Sequence, residues 1–244
     1  MTKTPLTPKY YKNVIHTCKY FFVKNPILIF HILFYNNKDG WTTFINGVKI
    51  SADLKNVLSK LWMTEEICVF GRNEKNKNIV SSIIPKIYKC DLTELKIEDQ
   101  DMSFGDLKTL SSNVKKLVLR EVIVMYKNGS TVPFEKIVAV FKKLQILFYL
   151  PHSSTSSTIT PTTLKELLKI PHFLTLEFYE LWDIPVMFDI ETFYSYIKEN
   201  KDTKIHLKFS HTISQEHKNQ LQALNDEIRK TKLRNYLTFS ISFL

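Results

Sequence analysis

The chain has 244 residues, enough for one elongated domain or two small ones with a sizeable core. Of these residues 44% are apolar, 13% aromatic and 24% charged, a composition that excludes an intrinsically disordered chain. The five glycines are scattered, so neither a GxGxxG fingerprint nor a P-loop is present. This argues against an enzyme that binds nucleotide phosphates.

The net charge of +10 is concentrated in the N-terminal third of the chain. Residues 1–90 contain 14 Lys and Arg against 5 Asp and Glu, whereas residues 91–244 are nearly neutral. A basic segment attracts nucleic acid, an acidic partner protein or an anionic membrane surface through its long-range field. Because the lysines are spread rather than clustered, the pattern favours an ordinary solvated basic surface.

The cysteines and the first residues predict a cytoplasmic or nuclear protein. Cys18, Cys68 and Cys90 form no C-x-x-C pair, which is typical of reduced thiols. The first residues lack the apolar core of a signal peptide. The most apolar run, residues 27–35, is less than half of the roughly 20 residues that a membrane-spanning helix needs, so we interpret it as a buried strand.

An amphipathic helix is predicted before that strand. Tyr11, Ile15, Cys18 and Phe22 recur at helical spacing, which favours packing against a core. Aromatic residues alternate with lysines in the same segment, so stacking on nucleic-acid bases with contacts to phosphates is the alternative.

A repeat follows this segment. Pairs of apolar residues two positions apart recur every 22 to 32 residues, which is the period-2 pattern of one strand face. In four pairs an apolar residue also stands three positions earlier, which gives the L-x-x-L-x-L core of a leucine-rich repeat. The pairs are Ile67/Val69, Leu95/Ile97, Leu117/Leu119, Leu144/Ile146, Leu176/Phe178 and Ile205/Leu207, with weaker copies at Ile32/Phe34 and Leu237/Phe239.

Helix and turn signals separate these strands. Ser103, Pro133, Pro161, Asp189 and Ser214 stand at the starts of helical patterns, of which the last and longest covers about residues 215–231. Asn128-Gly129 reads as a turn, and the Ser-rich stretch within 151–163 as an exposed loop. The Asn or Cys that usually follows the repeat core is absent, so the repeats are irregular; Gln100, Val122, Tyr149, Leu181 and Ser210 stand in its place.

Together these elements predict an α/β fold. Each strand and helix pair has one apolar face that it cannot bury alone, and stacking the pairs covers those faces. We expect an irregular leucine-rich-repeat-like solenoid of alternating strands and helices with a parallel sheet at residues 27–244, preceded by a helical segment at residues 1–26.

Strand positions beside the buried pairs are expected on the concave surface, where such arrays usually bind partners. Their mixed charge and few hydrophobic residues suit a protein partner better than a uniform polyanion, although an ordinary solvated sheet has the same composition. The candidate partner-binding residues are Glu66, Glu94, Lys96, Glu98, Lys116, Arg120, Gln145, Glu177, Tyr179, Lys204, His206 and Lys208, and Cys68, Val118 and Thr175 lie among them.

No catalytic, metal-binding or cofactor-binding motif is found. The seven histidines include no pair four residues apart beside a Glu, so the zinc-hydrolase pattern is missing. The cysteines lie in apolar patterns typical of core packing, and no G-x-S-x-G elbow is present. We predict a non-enzymatic protein without a cofactor, metal or small-molecule substrate; an enzyme whose site assembles scattered residues is the alternative.

Six segments carry a resemblance that covers most of the chain: PKYYKNVIHTCKYFFVKNP (8–26), LWMTEEICVFG (61–71), IIPKIYKCDLTELKIEDQDMSFGDLKTL (83–110), VPFEKI (132–137), TLKELLKIPHFL (163–174) and FDIETFYSYIKENKDTKIHLKFS (188–210). They resemble a lineage-expanded nematode family of F-box and F-box-associated proteins with leucine-rich-like repeats. The resemblance implies a substrate receptor of a cullin-type ubiquitin ligase, in which the F-box binds a small adaptor and the repeats hold the target. Only residues 14–22 resemble an F-box, namely its final helix, while the leading Leu-Pro helix that contacts the adaptor is missing.

The sequence therefore favours one function and leaves an alternative. The first is a non-enzymatic protein-interaction module that resembles the substrate-receptor part of an F-box-type protein, with an unidentified target and with adaptor binding left open. The alternative is a protein that binds nucleic acid or an anionic surface through its basic N-terminal third.

Overall fold

The computed structural model describes residues 7–71, 77–153, 158–200, 202–230 and 239–243. Within these ranges strands and helices alternate along the chain. The helices are α1 (Pro8–Thr17), α2 (Lys19–Lys24), α3 (Ile79–Ile83), α4 (Phe104–Leu110), α5 (Phe134–Ala139), α6 (Thr163–Leu167), α7 (Ile190–Glu199) and α8 (Gln215–Lys230), and a 3₁₀ turn at Ile84–Lys86 follows α3. The strands are β1 (Ile27–Asn36), β2 (Gly40–Ile45), β3 (Val48–Ser51), β4 (Lys60–Phe70), β5 (Ile87–Cys90), β6 (Glu94–Glu98), β7 (Asp101–Ser103), β8 (Lys116–Arg120), β9 (Ile123–Met125), β10 (Ile146–Leu150), β11 (Phe178–Ile184), β12 (Lys204–Phe209) and β13 (Phe239–Phe243).

Eleven of these strands form one open, mostly parallel sheet. Its order is β13-β12-β11-β10-β8-β6-β4-β1-β2-β3, with β5 paired to the first part of β4, and the parallel strands therefore lie in chain order. The β1–β2–β3 end is an antiparallel meander, and β7 and β9 pair in a separate two-stranded sheet. The prediction of an α/β fold on a parallel sheet is confirmed, whereas the leucine-rich-repeat identity stays a prediction.

Two rows of apolar side chains run across the strands on the helix side of the sheet. Neighbouring strands pair in register, so residues of each row stack directly on one another. All are buried, and they form one core with the apolar faces of α3 to α8. The first row is Leu33, Ile67, Leu95, Leu117, Leu147, Tyr179, Ile205 and Phe239; the second is Tyr35, Val69, Ile97, Leu119, Tyr149, Leu181, Leu207 and Ile241.

The predicted inward pairs are confirmed in β4, β6, β8 and β12 and are wrong in three strands. In β10 the inward pair is Leu147/Tyr149; of the predicted pair, Leu144 is buried in the core before the strand begins, and Ile146 lies on the other face. The reason is an extra apolar residue: Leu144 is itself buried three positions before Leu147, so the L-x-x-L-x-L pattern fits in two frames. The same three-residue shift moves the inward pair of β11 to Tyr179/Leu181, and in β1 the inward pair is Leu33/Tyr35. Leu237 lies outside the described residues.

Three of the parallel strands share a left-handed backbone state near their carboxyl ends, at the corners that follow β6 and β8 and at an irregularity inside β11. Asp99, Glu121 and Asp183 each stand two positions after the last inward residue of a strand, with φ of 53°, 53° and 50°. The corner amides of Asp99 and Glu121 donate to the carbonyl at the end of the next strand, at Arg120 O (2.9 Å) and Leu150 O (2.8 Å). A repeated backbone state of this kind is uncommon in non-glycine residues. It therefore gives the ends of these three strands a similar local geometry, although their sequences differ.

Gln100 follows the first of these corners and is fully buried. Its Oε1 accepts hydrogen bonds from the backbone amides of Ile79 (2.9 Å) and Val80 (3.4 Å), and its Nε2 donates to Asp99 O (2.8 Å). The amides at the start of a helix lack partners within the helix, so this side chain satisfies the first turn of α3. Gln100 thus links the corner after β6 to the start of α3.

Most predicted helix starts and turns are confirmed. Ser103 caps α4 through the amide of Asp106 (3.0 Å), and Asp189 caps α7 through the amide of Thr192 (3.0 Å). Gly129 has a φ of 81° in the predicted turn. The exposed-loop prediction for 151–163 is wrong at its later part, where Thr158 and Ile159 are buried; residues 154–157 lie outside the described residues.

The N-terminal helix α1 packs on the opposite face of the sheet from the other helices. Tyr11 is buried with Ile27 and Trp62 in a second cluster, separate from the main core. Trp62 lies between Leu61 and Met63, which both belong to the main core, so strand alternation directs its side chain to the other face. The predicted helix is confirmed but interrupted: Cys18 is exposed between α1 and α2, and Phe22 is only half-buried.

Candidate functional site: the open face of the sheet

The candidate site is the sheet surface that points away from α3 to α8, which we call the open face. Its side chains alternate with the two buried rows, and most are partly exposed. No helix other than α1 contributes a buried residue there within the described part of the chain. The open face is formed by Ile32, Phe34, Glu66, Cys68, Phe70, Glu94, Lys96, Glu98, Lys116, Val118, Arg120, Ile146, Phe148, Leu150, Phe178, Glu180, Lys204, His206 and Lys208.

One half of the open face, on β4, β6 and β8, is a network of ion pairs, which we call the charged half. Lys96 Nζ lies 2.6 Å from Glu66 Oε1 and 2.9 Å from Glu94 Oε2. Lys116 Nζ lies 3.4 Å from the same Glu94 oxygen. Glu94 and Lys116 thus stand opposite each other on adjacent strands, where such pairs stabilise a sheet, and Lys96 reaches both Glu94 and Glu66, two like charges that also stand opposite each other.

The network shifts the pKa values of its members. The hydrogen bond from Lys96 lowers the pKa of the Glu94 carboxyl, and the charge of Lys116 adds to this effect. Burial opposes the charged form of Lys96, but its hydrogen bonds to Glu66 and Glu94 outweigh burial and raise its pKa. Both shifts favour the charged forms, so Glu94 and Lys96 are ionised near neutral pH.

Cys68 lies within the charged half and is chemically inert. Burial, followed by the negative charge of Glu66, raises the pKa of its thiol to about 12. Because the thiolate is the reactive form, such a thiol is a poor nucleophile at neutral pH. This agrees with its interpretation as a packing residue.

The other half, on β10, β11 and β12, presents aromatic side chains and is called the aromatic half. The rings of Phe148 and Phe178 have centroids 4.9 Å apart, and His206 meets Phe178 edge-on at 5.1 Å. Ile146 stands beside Phe178 in the register. These side chains form an apolar strip that continues from strand to strand on a face without covering helices.

Trp182 and its neighbours extend this half towards the ends of the strands. Lys208 Nζ lies 3.5 Å from the centroid of the Trp182 ring, and the indole Nε1 donates to Glu180 Oε1 (2.7 Å). Lys208 is also 3.6 Å from that carboxylate oxygen. The indole is therefore held between a cation and a carboxylate, a polar border to the aromatic strip.

A groove of about 990 Å³ opens beside the aromatic half. Phe148 and Phe178 form its floor together with Ile146, while residues from the end of α7 and the loop before β12 form its other wall. Lys116 and Lys204 lie at its margins with Glu177, Glu199 and Asp202. The lining thus combines apolar side chains with charges of both signs.

The structure brings most of the predicted partner-binding residues onto one surface. On the open face lie Glu66, Glu94, Lys96, Glu98, Lys116, Arg120, Lys204, His206 and Lys208, together with Cys68 and Val118. Gln145 and Glu177 precede β10 and β11, and their side chains join through a 2.9 Å hydrogen bond from Nε2 to Oε1.

The prediction for Tyr179 is wrong. Its side chain is fully buried in the first inward row, because the frame of β11 is shifted as described above. Because of the same shift, the sequence prediction did not include four residues that occupy the open-face positions of β10 and β11: Ile146, Phe148, Phe178 and Glu180. The signal that would have found them is the second L-x-x-L-x-L frame in β10 and β11.

Helix α1 covers the open face at its β1 and β4 end. Lys12 Nζ is 2.8 Å from His31 Nε2, and the other ring nitrogen of His31 contacts Thr64 Oγ1 (2.9 Å) and Glu65 Oε1 (3.0 Å). The exposed aromatic side chains of this region, Tyr10 and Tyr20, point away from the core. The open face is thus bounded by α1 at one end and extends unobstructed through the aromatic half.

The described residues contain neither a metal-binding cluster nor a membrane-spanning helix. No group of three or more His, Cys, Asp or Glu there is placed to hold a metal ion. The described helices include none with the length and apolarity required to cross a bilayer. No protein-family model, curated protein or solved structure matches the chain.

Proposed function

We propose that the chain is a non-enzymatic protein-interaction module with an irregular leucine-rich-repeat-like solenoid, whose open face binds a partner protein. The observation that carries the proposal is the continuous strip of Ile146, Phe148, Phe178 and His206, on the part of the open face that none of the described helices covers. Apolar side chains of this kind gain free energy when a partner removes them from water. Aromatic residues in particular are enriched where partner proteins bind.

Two features of the fold support the repeat-like character of the module. The parallel strands lie in chain order, and the left-handed backbone state recurs at Asp99, Glu121 and Asp183. Stacked repeats of this type present one extended surface to a partner.

The charges of the open face favour a protein over a polyanion as the partner. Lys96 and Lys116 are already paired with Glu66 and Glu94, so they are not free to neutralise phosphates. Charged margins of both signs instead match the polar rim of a protein interface.

The resemblance to F-box proteins suggests the kind of partner. In that reading the open face holds the target of a cullin-type ubiquitin ligase, and α1–α2 correspond to the end of an F-box. Tyr20 and Val23 of α2 are 60% and 73% exposed, which leaves an apolar surface for an adaptor. The open face and α2 would then serve two different partners.

The experiment is affinity capture from native lysate with quantitative mass spectrometry. Phe178→Glu places a charge in the aromatic half, and we expect it to abolish retention of the partner. Leu58→Glu is the matched control, since Leu58 is 99% exposed and lies outside the open face, and it should retain the partner like the unchanged protein. Lys204→Glu provides a second open-face variant without loss of an aromatic ring.

The outcomes separate the alternatives. Equal retention by Phe178→Glu, Lys204→Glu and Leu58→Glu would contradict the open-face proposal, provided that all three proteins unfold at the same temperature as the unchanged chain. Loss of a cullin-ligase adaptor in Val23→Glu alone would support the F-box reading of α2. Co-purification of nucleic acid with a steep salt dependence would instead support the basic N-terminal third as the binding site.

A further inference from the structure

Strand β3 forms the outer edge of the sheet at the meander end. It pairs with β2 on one side and with no strand of the described chain on the other. Each of its four residues, Val48–Ser51, is exposed. An edge of this kind presents backbone groups that only another extended chain can satisfy along their whole length.

The hairpin geometry shows which backbone groups are free. Asn46 and Gly47, with φ of 51° and 78°, form the two-residue turn, and the Ala52 amide donates to Trp41 O (2.8 Å). Because bonded positions alternate along an antiparallel pair, Val48 and Ile50 also direct their backbone groups towards β2. The amides and carbonyls of Lys49 and Ser51 therefore point outward, away from the sheet.

Proline and a bulge, two devices that protect many sheet edges, are missing from β3, although the strand is short. The strand contains no proline, and its register with β2 is continuous, without a bulge. The charge of its one lysine does not lie along the free edge. Lys49 Nζ lies 2.6 Å from Asp39 Oδ2 and 5.2 Å from the centroid of the Phe34 ring. The charge is thus folded over the sheet surface and is neutralised there.

Apolar side chains accompany the free backbone groups. Ile45 and Val48 are 56% and 62% exposed, and Ile50 is 37% exposed. Pairing of Ile45 with Val48 and of Thr43 with Ile50 places all three on one face of the hairpin, and Phe44 is exposed on the other. An added strand with apolar residues at alternate positions would cover this face.

The charges around the edge define the partner further. Asp39 is engaged by Lys49 and by Asn36 (3.1 Å), and the carboxylate of Asp53 accepts from Asn56 Nδ2 (2.7 Å). The charge of Lys38 acts on Asp39, and that of Lys55 acts on Asp53. With Lys49, three lysines therefore stand near two aspartates, and the surroundings of the edge carry a small positive net charge, in keeping with the excess of basic residues in the N-terminal third.

We infer that β3 is a docking edge that accepts an extended segment of a partner protein, with acidic residues alternating with apolar ones, as an additional strand of the sheet. This surface is distinct from the open face proposed above. It assigns to the basic N-terminal third an acidic peptide as its ligand.

The test uses the full chain and synthetic eight-residue peptides with blocked ends. The probe alternates Glu or Asp with Val, and a matched peptide carries Lys at every acidic position. Titration calorimetry should detect the acidic peptide and not the basic one. Ser51→Pro removes an outward amide that the hairpin itself does not use, and we expect it to weaken binding about fivefold, the equivalent of one backbone hydrogen bond. Ser51→Thr keeps the amide and should bind like the unchanged protein.

A second pair of variants guards against a folding defect in Ser51→Pro. Val48→Asp places a negative charge on the edge and should weaken the acidic peptide, whereas Val48→Thr should not. Absence of binding to the acidic peptide, or equal binding by Ser51→Pro and Ser51→Thr, would overturn the proposal. A concentration-dependent dimer that Ser51→Pro abolishes would also overturn it, in favour of a second copy of the chain as the occupant. Phe178→Glu should leave peptide binding unchanged, which separates this test from that of the open face.

Discussion

The charged half and the aromatic half of the open face have the same backbone and different surfaces. In both halves the inward rows are apolar and stack in register, from Ile67 to Ile205. On the outer side, Glu94 and Lys116 occupy the register positions that Ile146 and Phe178 occupy further along the sheet. The ions of the charged half satisfy one another, whereas the rings of the aromatic half stay partly exposed. Burial of the inward rows therefore stabilises the fold in both halves, whereas the outward side chains can differ and determine which partner binds.

The largest effect is expected from the inward side. Leu117 is fully buried at the junction of the two halves, and Leu117→Ala should lower the free energy of unfolding by about 2–5 kcal/mol through lost burial and the resulting cavity. Val118→Ala, on the same strand and the opposite face, should cost less than about 1 kcal/mol. Denaturant unfolding of both proteins measures the difference, and similar losses would contradict the assignment of the two faces.

A smaller effect is expected in the charged half. Lys96→Met keeps the length of the side chain but leaves Glu66 and Glu94 without their shared cation. Because these side chains are mostly buried, we expect a loss of roughly 1 kcal/mol in the free energy of unfolding. The matched change in the aromatic half, Phe178→Leu, should mainly reduce the amount of partner retained and have little effect on the free energy of unfolding. If Lys96→Met instead mainly reduced partner retention and Phe178→Leu mainly reduced the free energy of unfolding, the two halves would not have the roles assigned to them.

The charged half should also make stability depend on pH. The folded pKa of Glu94 lies below its ordinary value of 4.5, so its stabilisation is complete above that value and is lost as the pH falls through the lowered pKa. Glu94→Gln removes this contribution. The free energy difference between the two proteins should therefore be largest near neutral pH and should shrink as the pH falls below 4.5 and through the lowered pKa of Glu94. A difference that is constant with pH would show that the ion pairs do not contribute.

For Lys96 the dependence of stability on pH has the opposite direction. Its folded pKa lies above the ordinary value of 10.5, so its stabilisation is present below that value and is lost as the pH rises through the raised pKa. Lys96→Met and the unchanged protein should approach each other in stability at strongly alkaline pH.

The smallest effect concerns the corners shared by both halves. Glu121 has a φ of 53°, a conformation that glycine adopts without strain. Glu121→Gly should raise the free energy of unfolding by about 0.5–1 kcal/mol, while Arg120→Gly in the adjacent strand should lower it by a similar amount. Thermal unfolding of the two proteins gives the sign directly, and destabilisation in both would argue against the left-handed corner.

Much of the fold could be predicted from the sequence because one strand face alternates cleanly. Ile67/Val69, Leu95/Ile97 and Leu117/Leu119 lie in the core as predicted. The prediction was wrong for β10 and β11 because apolar residues continue three positions upstream, as at Leu144, and the pattern alone does not decide between two frames. Register with the neighbouring strand decides it, and this is tertiary information.

The candidate site was predicted less completely for the same reason. The charged residues of β4, β6 and β8 were placed correctly, since they stand beside well-defined inward pairs. The aromatic half was missed, since Phe148 and Phe178 look like core residues in the sequence. The docking edge at β3 also lacks a sequence signal, because the fold-back of Lys49 onto Asp39 depends on the hairpin geometry.

The most direct test of the central claim is hydroxyl-radical footprinting of the chain alone and in complex with the partner that it retains from native lysate. Phe148 and Phe178 should be oxidised in the free chain and markedly protected in the complex, while Leu58 should be oxidised equally in both. Unchanged oxidation of Phe148 and Phe178 in the complex would contradict the assignment of the open face as the partner-binding surface.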